Sequence, residues 1–372
     1  MGIYIHIPFC RSRCIYCDFY STTLGLEVMA SYLKAVEREI VHRRQQIEGA
    51  HSNINTIYIG GGTPSLLPIH LLNQLFKIIC QNFTLEEDAE VTIEANPDDV
   101  TTEWLTGLTE TPVNRISMGT QTFNDKLLSF IGRRHNCQQT IDAVKACKEA
   151  GFNNISLDLI YGLPGQSFEI WEKDVKHALS LGINHLSAYA LSYEEGSKLN
   201  AMLRQELIEE ADEELSRQMY NHLMSETNKA GYYHYEISNF ALPGYQSRHN
   251  SSYWQGVPYL GIGAGAHSYD GKQTRRANHP DIKAYIVATG DVPHEIETLN
   301  NESLYNEFIM TRLRTSAGIP LNELPTDDRH HCLSCAEPHL RRHLLHIKKG
   351  KHLCLTKEGI FVSNDIISDL MK

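Results

Sequence analysis

Three cysteines stand within eight residues near the start of the chain, Cys10, Cys14 and Cys17, in the stretch HIPFCRSRCIYCDF (6–19). Their C-x3-C-x2-C spacing puts three soft sulfur donors on one short loop, a set suited to zinc or to an iron–sulfur cluster. A closed zinc site needs a fourth Cys or His, and the only one nearby is His6, in the opening strand. A three-thiolate [4Fe-4S] cluster instead leaves one iron open to a small ligand. Arg11, Ser12 and Arg13 make the loop polar, which argues against three thiols buried by chance. The two arginines are expected to offset the charge of the site and to lower the thiol pKa values. Asp18 and Phe19 follow the last cysteine, where a fourth thiol might have stood.

Such a loop needs a scaffold that brings other groups to it. The chain has 372 residues, 41% of them apolar, enough for a sizeable core and two or three domains. Residues 1–192 alternate short β-like runs with amphipathic helical stretches. The runs are GIYIHIP (2–8), NTIYIGGG (55–62), EVTIEAN (90–96), RISMGTQ (115–121), NISLDLIYG (154–162) and HLSAYAL (185–191). Between them Tyr32, Leu33, Val36 and Ile40, and again Leu71, Leu72, Leu75, Phe76 and Ile79, recur at helical spacing. Repeated βα units imply an α/β fold with a parallel sheet, either a doubly wound open sheet or a partial (βα)6 barrel. Both collect ligands at the carboxyl ends of the strands, where the sequence places Cys10, Gly60 to Pro64, Glu94, Gln121, Asp158 and Ser192.

The alternation stops after residue 195. Three segments are expected: a barrel with the cysteine loop (1–195), an irregular, helical and aromatic-rich accessory region covering it (196–296), and a small α+β, winged-helix-like C-terminal domain (297–372). In the second, Leu203, Leu207, Ala211, Leu215, Met219 and Leu223 keep helical spacing; in the third, HLCLTKEGIFVS (352–363) reads as a hairpin. A winged helix raises the question of nucleic acid. Residues 297–372 carry ten Lys plus Arg against ten Asp plus Glu, and the whole chain has a net charge of -11, so no nucleic-acid partner is expected. The chain opens without a basic segment followed by an apolar one, and no apolar run approaches a membrane span; the expected compartment is the cytoplasm.

C-x3-C-x2-C after a first strand, Tyr16 just before the last cysteine and GGGTPS (60–65) after the second strand together resemble the radical S-adenosylmethionine superfamily. Within it, YIHIPFC, GGGTPSLL, SMGTQTF, GRRHN and DLIYGLPGQ are similar, over nearly the whole chain, to the oxygen-independent coproporphyrinogen III oxidase group. The resemblance implies that Cys10, Cys14 and Cys17 bind a [4Fe-4S] cluster, and that S-adenosylmethionine chelates the fourth iron through its amino and carboxylate groups. By motif position it also implies cofactor contacts from Tyr4, Tyr16, Gly61, Gly62, Thr63, Glu94, Gln121, Arg133, Asp158 and Ala190, with His267 a further candidate. Consecutive glycines admit a ligand close to the backbone, Glu94 and Asp158 can receive ammonium or ribose hydroxyls, and Arg133 can pair with a carboxylate. Taken singly, the glycines also read as a tight turn and Asp158 as a buried, paired carboxylate.

Two features separate branches of this group. Its oxidases carry a fourth cysteine two residues after the third, where this chain has Phe19. YCDF (16–19) and an H-N-x-x-Y-W motif, formed here by His249, Asn250, Tyr253 and Trp254, resemble instead the haem-chaperone branch. That resemblance implies binding of haem and its transfer to an acceptor protein, such as a respiratory haem protein, through which any membrane contact would be indirect. Radical decarboxylation of coproporphyrinogen III is the alternative. His249 is a candidate axial ligand, since imidazole binds haem iron, and Tyr253 and Trp254 are candidates to pack on a flat macrocycle. The plain alternative is a turn whose aromatics fill an interdomain seam.

Other signals are weaker. GIGAGA (261–266) meets a loose dinucleotide fingerprint but lacks the flanking strand and helix. Cys332, Cys335, His339 and His343 are spaced too tightly for a zinc finger and read as a surface helix with chance ligands. Cys80 and Cys147 read as core residues, and Cys354 has no assigned role.

Overall fold

The computed structural model describes residues 1–45 and 53–372. Its centre is six parallel strands, β1 (Gly2–Ile7), β2 (Asn53–Gly61), β3 (Thr84–Ala95), β4 (Arg115–Gln121), β5 (Asn154–Tyr161) and β6 (His185–Ala190), each paired with its neighbour in sequence. A doubly wound sheet reverses its strand order at a switch point. Here the order runs 1-2-3-4-5-6 without reversal and β6 does not return to β1, so the architecture is a partial (βα)6 barrel.

The strand sequences explain why the barrel has a lined interior. One set of alternating positions, including Ile5, Ile59, Ile93, Ile116, Met118, Leu157 and Leu186, is buried in one large core that also holds Tyr32, Val36, Leu72, Phe76, Val144, Trp171 and Val175 from the helices. The other set is polar: Tyr58, Glu94, Arg115, Ser117, Gln121, Asp158, Ser187 and Tyr189 face the concave side. A closed barrel fills that side with branched aliphatics; this one leaves a cavity. The connecting helices carry readable start signals. Asn136 and Gln139 form a capping box for the helix Cys137–Glu149, and the Ser167 hydroxyl caps Phe168–Ser180.

The segment read as irregular does more than cover the barrel: it adds strands to both edges of the sheet. β7 (Tyr233–Glu236) and β8 (Asn239–Ala241) extend it beyond β6, while β9 (Tyr259–Ile262) pairs parallel with β1 and is followed by β10 (His267–Tyr269), β11 (Thr274–Asn278) and β12 (His294–Thr298). Short strands with few branched residues gave no period-2 signal. The helical spacing at 203–223 belongs to two helices, Lys198–Arg204 and Glu213–Lys229. Glu206 takes a left-handed φ of 58° after the first, and Asp212 caps the second.

Residues from Tyr305 to Leu370 build a second core around Ile309, Leu313, Ile319, Cys332, Leu353 and Ile366. It packs helices against a small sheet of β13 (Ile319–Pro320), β14 (Leu345–Lys348) and β15 (His352–Leu355). The hairpin is β14–β15, earlier than read: Thr356 caps a new helix, Lys357–Ile360, so GIFVS is not a strand. Cys147 is buried as expected, whereas Cys80 is exposed. Among the described residues no helix is long and apolar enough to cross a membrane.

Candidate functional site

A cavity of about 460 Å³ occupies the concave side of the barrel, within the usual range for small-molecule sites. Cys10, Cys14 and Cys17 line it together with Tyr16, Gly61, Gly62, Thr63, Glu94, Gln121, Arg133, Asp158, Ala190 and Asn250. Tyr4, His249, Tyr253, Trp254 and His267 are not on its wall.

The cysteine loop is held by backbone bonds rather than by a regular element. Cys10 N–H donates to Thr22 O (2.8 Å), and Ile15 N–H to Ile131 O (3.2 Å). The glycine run makes room for it. Gly62 and Thr63 donate to Ile7 O and Phe9 O (both 2.8 Å), and a Cβ on Gly62 would come within 2.7 Å of Phe9 O and 3.0 Å of Cys10 Sγ. Only glycine allows that approach. Thr63 Oγ1 then donates to Cys10 Sγ (3.5 Å) and Arg133 Nη1 to Cys14 Sγ (3.7 Å).

Cys10, Cys14 and Cys17 line one cavity, and Cys10 and Cys17 both feel the charge of Cys14. Three thiols on one wall are the donor set that a [4Fe-4S] cluster with one open iron would use. His6 is excluded as a fourth ligand, because Nδ1 is bonded to Tyr4 OH (2.9 Å) and Nε2 to Tyr20 O (2.8 Å). The expected lowering of the thiol pKa values is overturned at two of the three. Burial pushes Cys10 up and Cys17 up to about 11, while Arg11 points away to Asp99 (3.6 Å).

Beyond the loop, the strand ends present acid–base and ionic groups. Glu94 accepts from Tyr58 OH (2.8 Å) and Gly61 N–H (3.1 Å), and burial raises its carboxyl to about 7. Asp158 accepts from Ser117 Oγ (3.4 Å), and burial raises it also. Arg133 donates through Nη2 to Asn96 Oδ1 and Gly119 O, while its buried Nε has no partner. Gln121 has a φ of 66°, left-handed for a non-glycine residue, at a register shift in β4. Together these groups can hold a zwitterion: carboxylates and hydroxyls for an ammonium or ribose, a guanidinium for a carboxylate.

The H-N-x-x-Y-W motif forms the helix Arg248–Trp254 at the opposite end, under the amino ends of β1 to β3. Glu90 accepts from Arg248 N–H (2.9 Å) and His249 N–H (3.0 Å). His249 is buried, with Nδ1 on Thr56 Oγ1 (2.9 Å) and Nε2 on Tyr253 OH (2.8 Å). Burial first, then the charge of Arg115, hold it neutral, with a pKa of about 3. Thr56 lies five residues before Gly61 along β2, about 17 Å at the usual strand rise. Both ring nitrogens are bonded, one as donor and one as acceptor, so neither is open to iron in this conformation. Tyr253 packs edge-on against Tyr259, and Trp254 lies under the Arg314 guanidinium (5.8 Å). Asn250 alone of the motif reaches the cavity.

His267 is exposed on β10, where its carbonyl crowds Gly261: a Cβ there would lie 1.8 Å from His267 O. Gly263 N–H and Ala264 N–H are bonded to Glu39 and Tyr32, so GIGAGA is a packing element. The wall residues that escaped the sequence reading include Tyr58, Arg115, Ser117, Ser187 and Tyr189 on the strands. They share strand parity with Glu94, Gln121 or Asp158, which was the available signal.

Comparison with known proteins agrees with this geometry. Residues 4–178 match the family model of the radical SAM superfamily. The chain is 39% identical over 85% of its length to the heme chaperone HemW of Lactococcus lactis, covering 82% of that protein. It is 34% identical over its whole length to the heme chaperone HemW of Mycobacterium tuberculosis, covering 94% of it. Among solved structures it superposes on the coproporphyrinogen III oxidase HemN of Escherichia coli with a TM-score of 0.84 at 22% identity, covering all of this chain and 90% of that one. At that identity the likeness speaks for the fold.

Proposed function

We propose, because this chain belongs to the radical SAM superfamily and within it to the HemW family, that it binds haem at the mouth of its barrel and hands it to an acceptor protein. The superfamily implies a [4Fe-4S] cluster and S-adenosylmethionine. In this reading Cys10, Cys14 and Cys17 would hold the cluster, which would leave one iron open for the sulfonium cofactor. Gly61, Gly62, Glu94, Gln121, Arg133 and Asp158 orient that cofactor at the strand ends.

One observation carries the haem part. At the position where a fourth thiol would mark the oxidases of the group, Phe19 stands 62% exposed on the rim of the cavity. Tyr189, 42% exposed, and Leu191 share the rim. An apolar rim beside a polar cavity suits a flat macrocycle whose face is greasy and whose edge is charged. The motif around His249 then acts as a floor for the barrel rather than as the haem contact.

The test is an anaerobic haem titration of the reconstituted chain followed by absorbance. About one haem per chain is expected, with Phe19→Ser weakening binding about tenfold or more and leaving iron content unchanged. Conversion of coproporphyrinogen III to protoporphyrinogen under the same conditions, with no haem bound, would overturn the reading.

A further inference from the structure

Beside the barrel mouth lies a second, shallow pocket of about 490 Å³, in which Phe130, Pro164, Leu207 and Ile208 meet Glu206 and Glu209. The backbone turns Leu207 into it. The helix Lys198–Arg204 ends with Leu207 N–H on Met202 O (3.0 Å) and Glu206 N–H on Leu203 O (2.9 Å), the paired bonds of a Schellman cap. Such a cap usually has glycine at its left-handed position and folds the next apolar residue back onto the helix. Here Glu206 takes the left-handed φ of 58°, and Leu207 stays 65% exposed on the pocket wall.

The charge around this leucine has one sign. From Tyr193 to Leu215 eight Asp and Glu stand against Lys198 and Arg204, more than half of the chain's net charge of -11. Among the described residues only Glu195 and Glu214 of the eight form ion pairs, with Arg204 and Arg217. Glu206, Glu209, Glu210 and Glu213 are exposed and unpaired, so their field reaches into solvent. The pocket is also joined to the cysteine loop. Phe130 packs on the small core of Leu127, Ile131, Ile160 and Leu163, which takes Ile15, Tyr16 and Leu191 from the rim of the main cavity. Leu199 N–H donates to Ile15 O (2.8 Å).

We propose that this pocket and its carboxylates dock a protein segment that carries an apolar side chain flanked by lysines or arginines. Phe130, Leu207 and Ile208 receive the apolar side chain, and the free carboxylates steer and hold the cations around it. The same charge repels an anionic membrane and a second copy of this chain. The proposal deepens the haem-chaperone reading by giving the segment to the acceptor, and only that assignment rests on the reading. Docking there brings the acceptor against the rim that holds Leu191.

The probe is a fluorescein-labelled peptide with one leucine between pairs of lysines, titrated by anisotropy at low salt against the anaerobically reconstituted full chain. Glu209→Lys with Glu210→Lys is expected to weaken binding about tenfold or more, and Leu207→Ser about fivefold. A peptide with serine in place of its leucine binds wild type and Leu207→Ser equally. The same reversal at the amino end of β3, Glu86→Lys with Glu87→Lys, leaves binding at the wild-type value. Iron content and melting temperature report folding of each variant. No peptide binding to wild type, an equal loss at the β3 control, or unchanged binding in Leu207→Ser overturns the proposal. Should Leu207→Ser fail to fold, equal affinity of wild type for the leucine and serine peptides overturns it. A wild-type dimer in sedimentation that the reversal at 209 and 210 dissociates would give the face to a second copy and overturn it too. Fused to haem-free myoglobin, the peptide tests the acceptor: the loaded chain should pass haem to the fusion about tenfold faster than to plain myoglobin, and the reversal should remove the difference. Equal rates with peptide binding intact overturn the acceptor assignment. Absence of haem binding in wild type would sink the haem reading instead, and the peptide titration would still judge the docking surface.

Discussion

Cysteine and histidine crowd together twice in this chain, with opposite results. In the loop after β1, Cys10, Cys14 and Cys17 all face one cavity. Along the helix Thr326–Arg341, Cys332 is buried in the C-terminal core beside Ala336, and His339 is buried and paired with Asp369 (3.0 Å). Cys335 Sγ lies 3.8 Å from His331 Nε2, and His343 falls past the helix end at a φ of 56°. The reading of a surface helix is corrected in part: the stripe that carries Cys332, Ala336 and His339 is core. Positions 332, 336 and 339 fall on one helical face, and an apolar neighbourhood claims that face first. The loop escapes this because its backbone bonds keep the sulfurs off any packed surface. What turns ligand-type residues into a site is a backbone that withholds them from the core.

Removing one sulfur at a time tests the first half of that contrast with the largest effect. Cys10→Ser, Cys14→Ser and Cys17→Ser are each expected to lose nearly all bound iron after anaerobic reconstitution, measured as iron per chain and as visible absorbance. Full iron in any one of them would remove that thiol from the cluster. His249→Ala extends the contrast to the barrel floor. It deletes a buried ring and orphans the Thr56 and Tyr253 hydroxyls, so denaturant unfolding should show a loss of about 4 kcal/mol with iron per folded chain unchanged. Wild-type stability combined with lost haem would instead make His249 a ligand.

Glu94 gives a pH signature peculiar to the cavity. Its carboxyl stands at about 7 in the folded chain, against an ordinary value of 4.5. A raised carboxyl means that the folded state keeps a proton that the unfolded state releases. Its contribution is therefore whole below pH 4.5, is lost as pH rises from there through about 7, and stays lost above. The full span is about 3 kcal/mol. Glu94→Gln should flatten the fall of stability between pH 5 and 7 and gain most at pH 8, read as melting temperature against pH in the absence of cofactor. An unchanged slope would place the proton elsewhere.

The parts of this molecule legible in its sequence are those where one physical demand acts alone. Outward strand positions such as Ile59, Ile93 and Met118 must be apolar, and their period announced the repeated βα units, though not whether these close toward a barrel. The thiol loop was legible because three soft ligands on a polar loop have few other uses. Arg115 and Ser187 were missed because inward polar residues on a strand look like a solvent face; only the knowledge that helices cover the other side turns them inward. The surroundings of His249 were not legible, because a histidine bonded to two hydroxyls and a histidine awaiting iron have the same letter. The break between the helices Lys198–Arg204 and Glu213–Lys229 was invisible for a related reason: the apolar spacing continues through Leu207, which is exposed.

The smallest effect belongs to the second cysteine group, and it is the one that separates residue type from residue placement. Cys332 lies in the C-terminal core, hydrogen-bonded to the Tyr305 side chain that packs there, and Cys335 is half-buried at its edge. Replacing both by alanine removes two sulfurs but leaves a residue of good helix propensity and a hole of one atom at each position. A loss of about 1 kcal/mol is expected, with iron content, S-adenosylmethionine binding and haem titration at wild-type values. The measurement that matters is iron per chain in the double variant, compared with any single loop variant. If Cys332→Ala with Cys335→Ala lowered it, the helix would be feeding metal to the loop and packing would not be its whole role. If it does not, two thiols three residues apart are as inert in a packed helix as any pair of small apolar side chains.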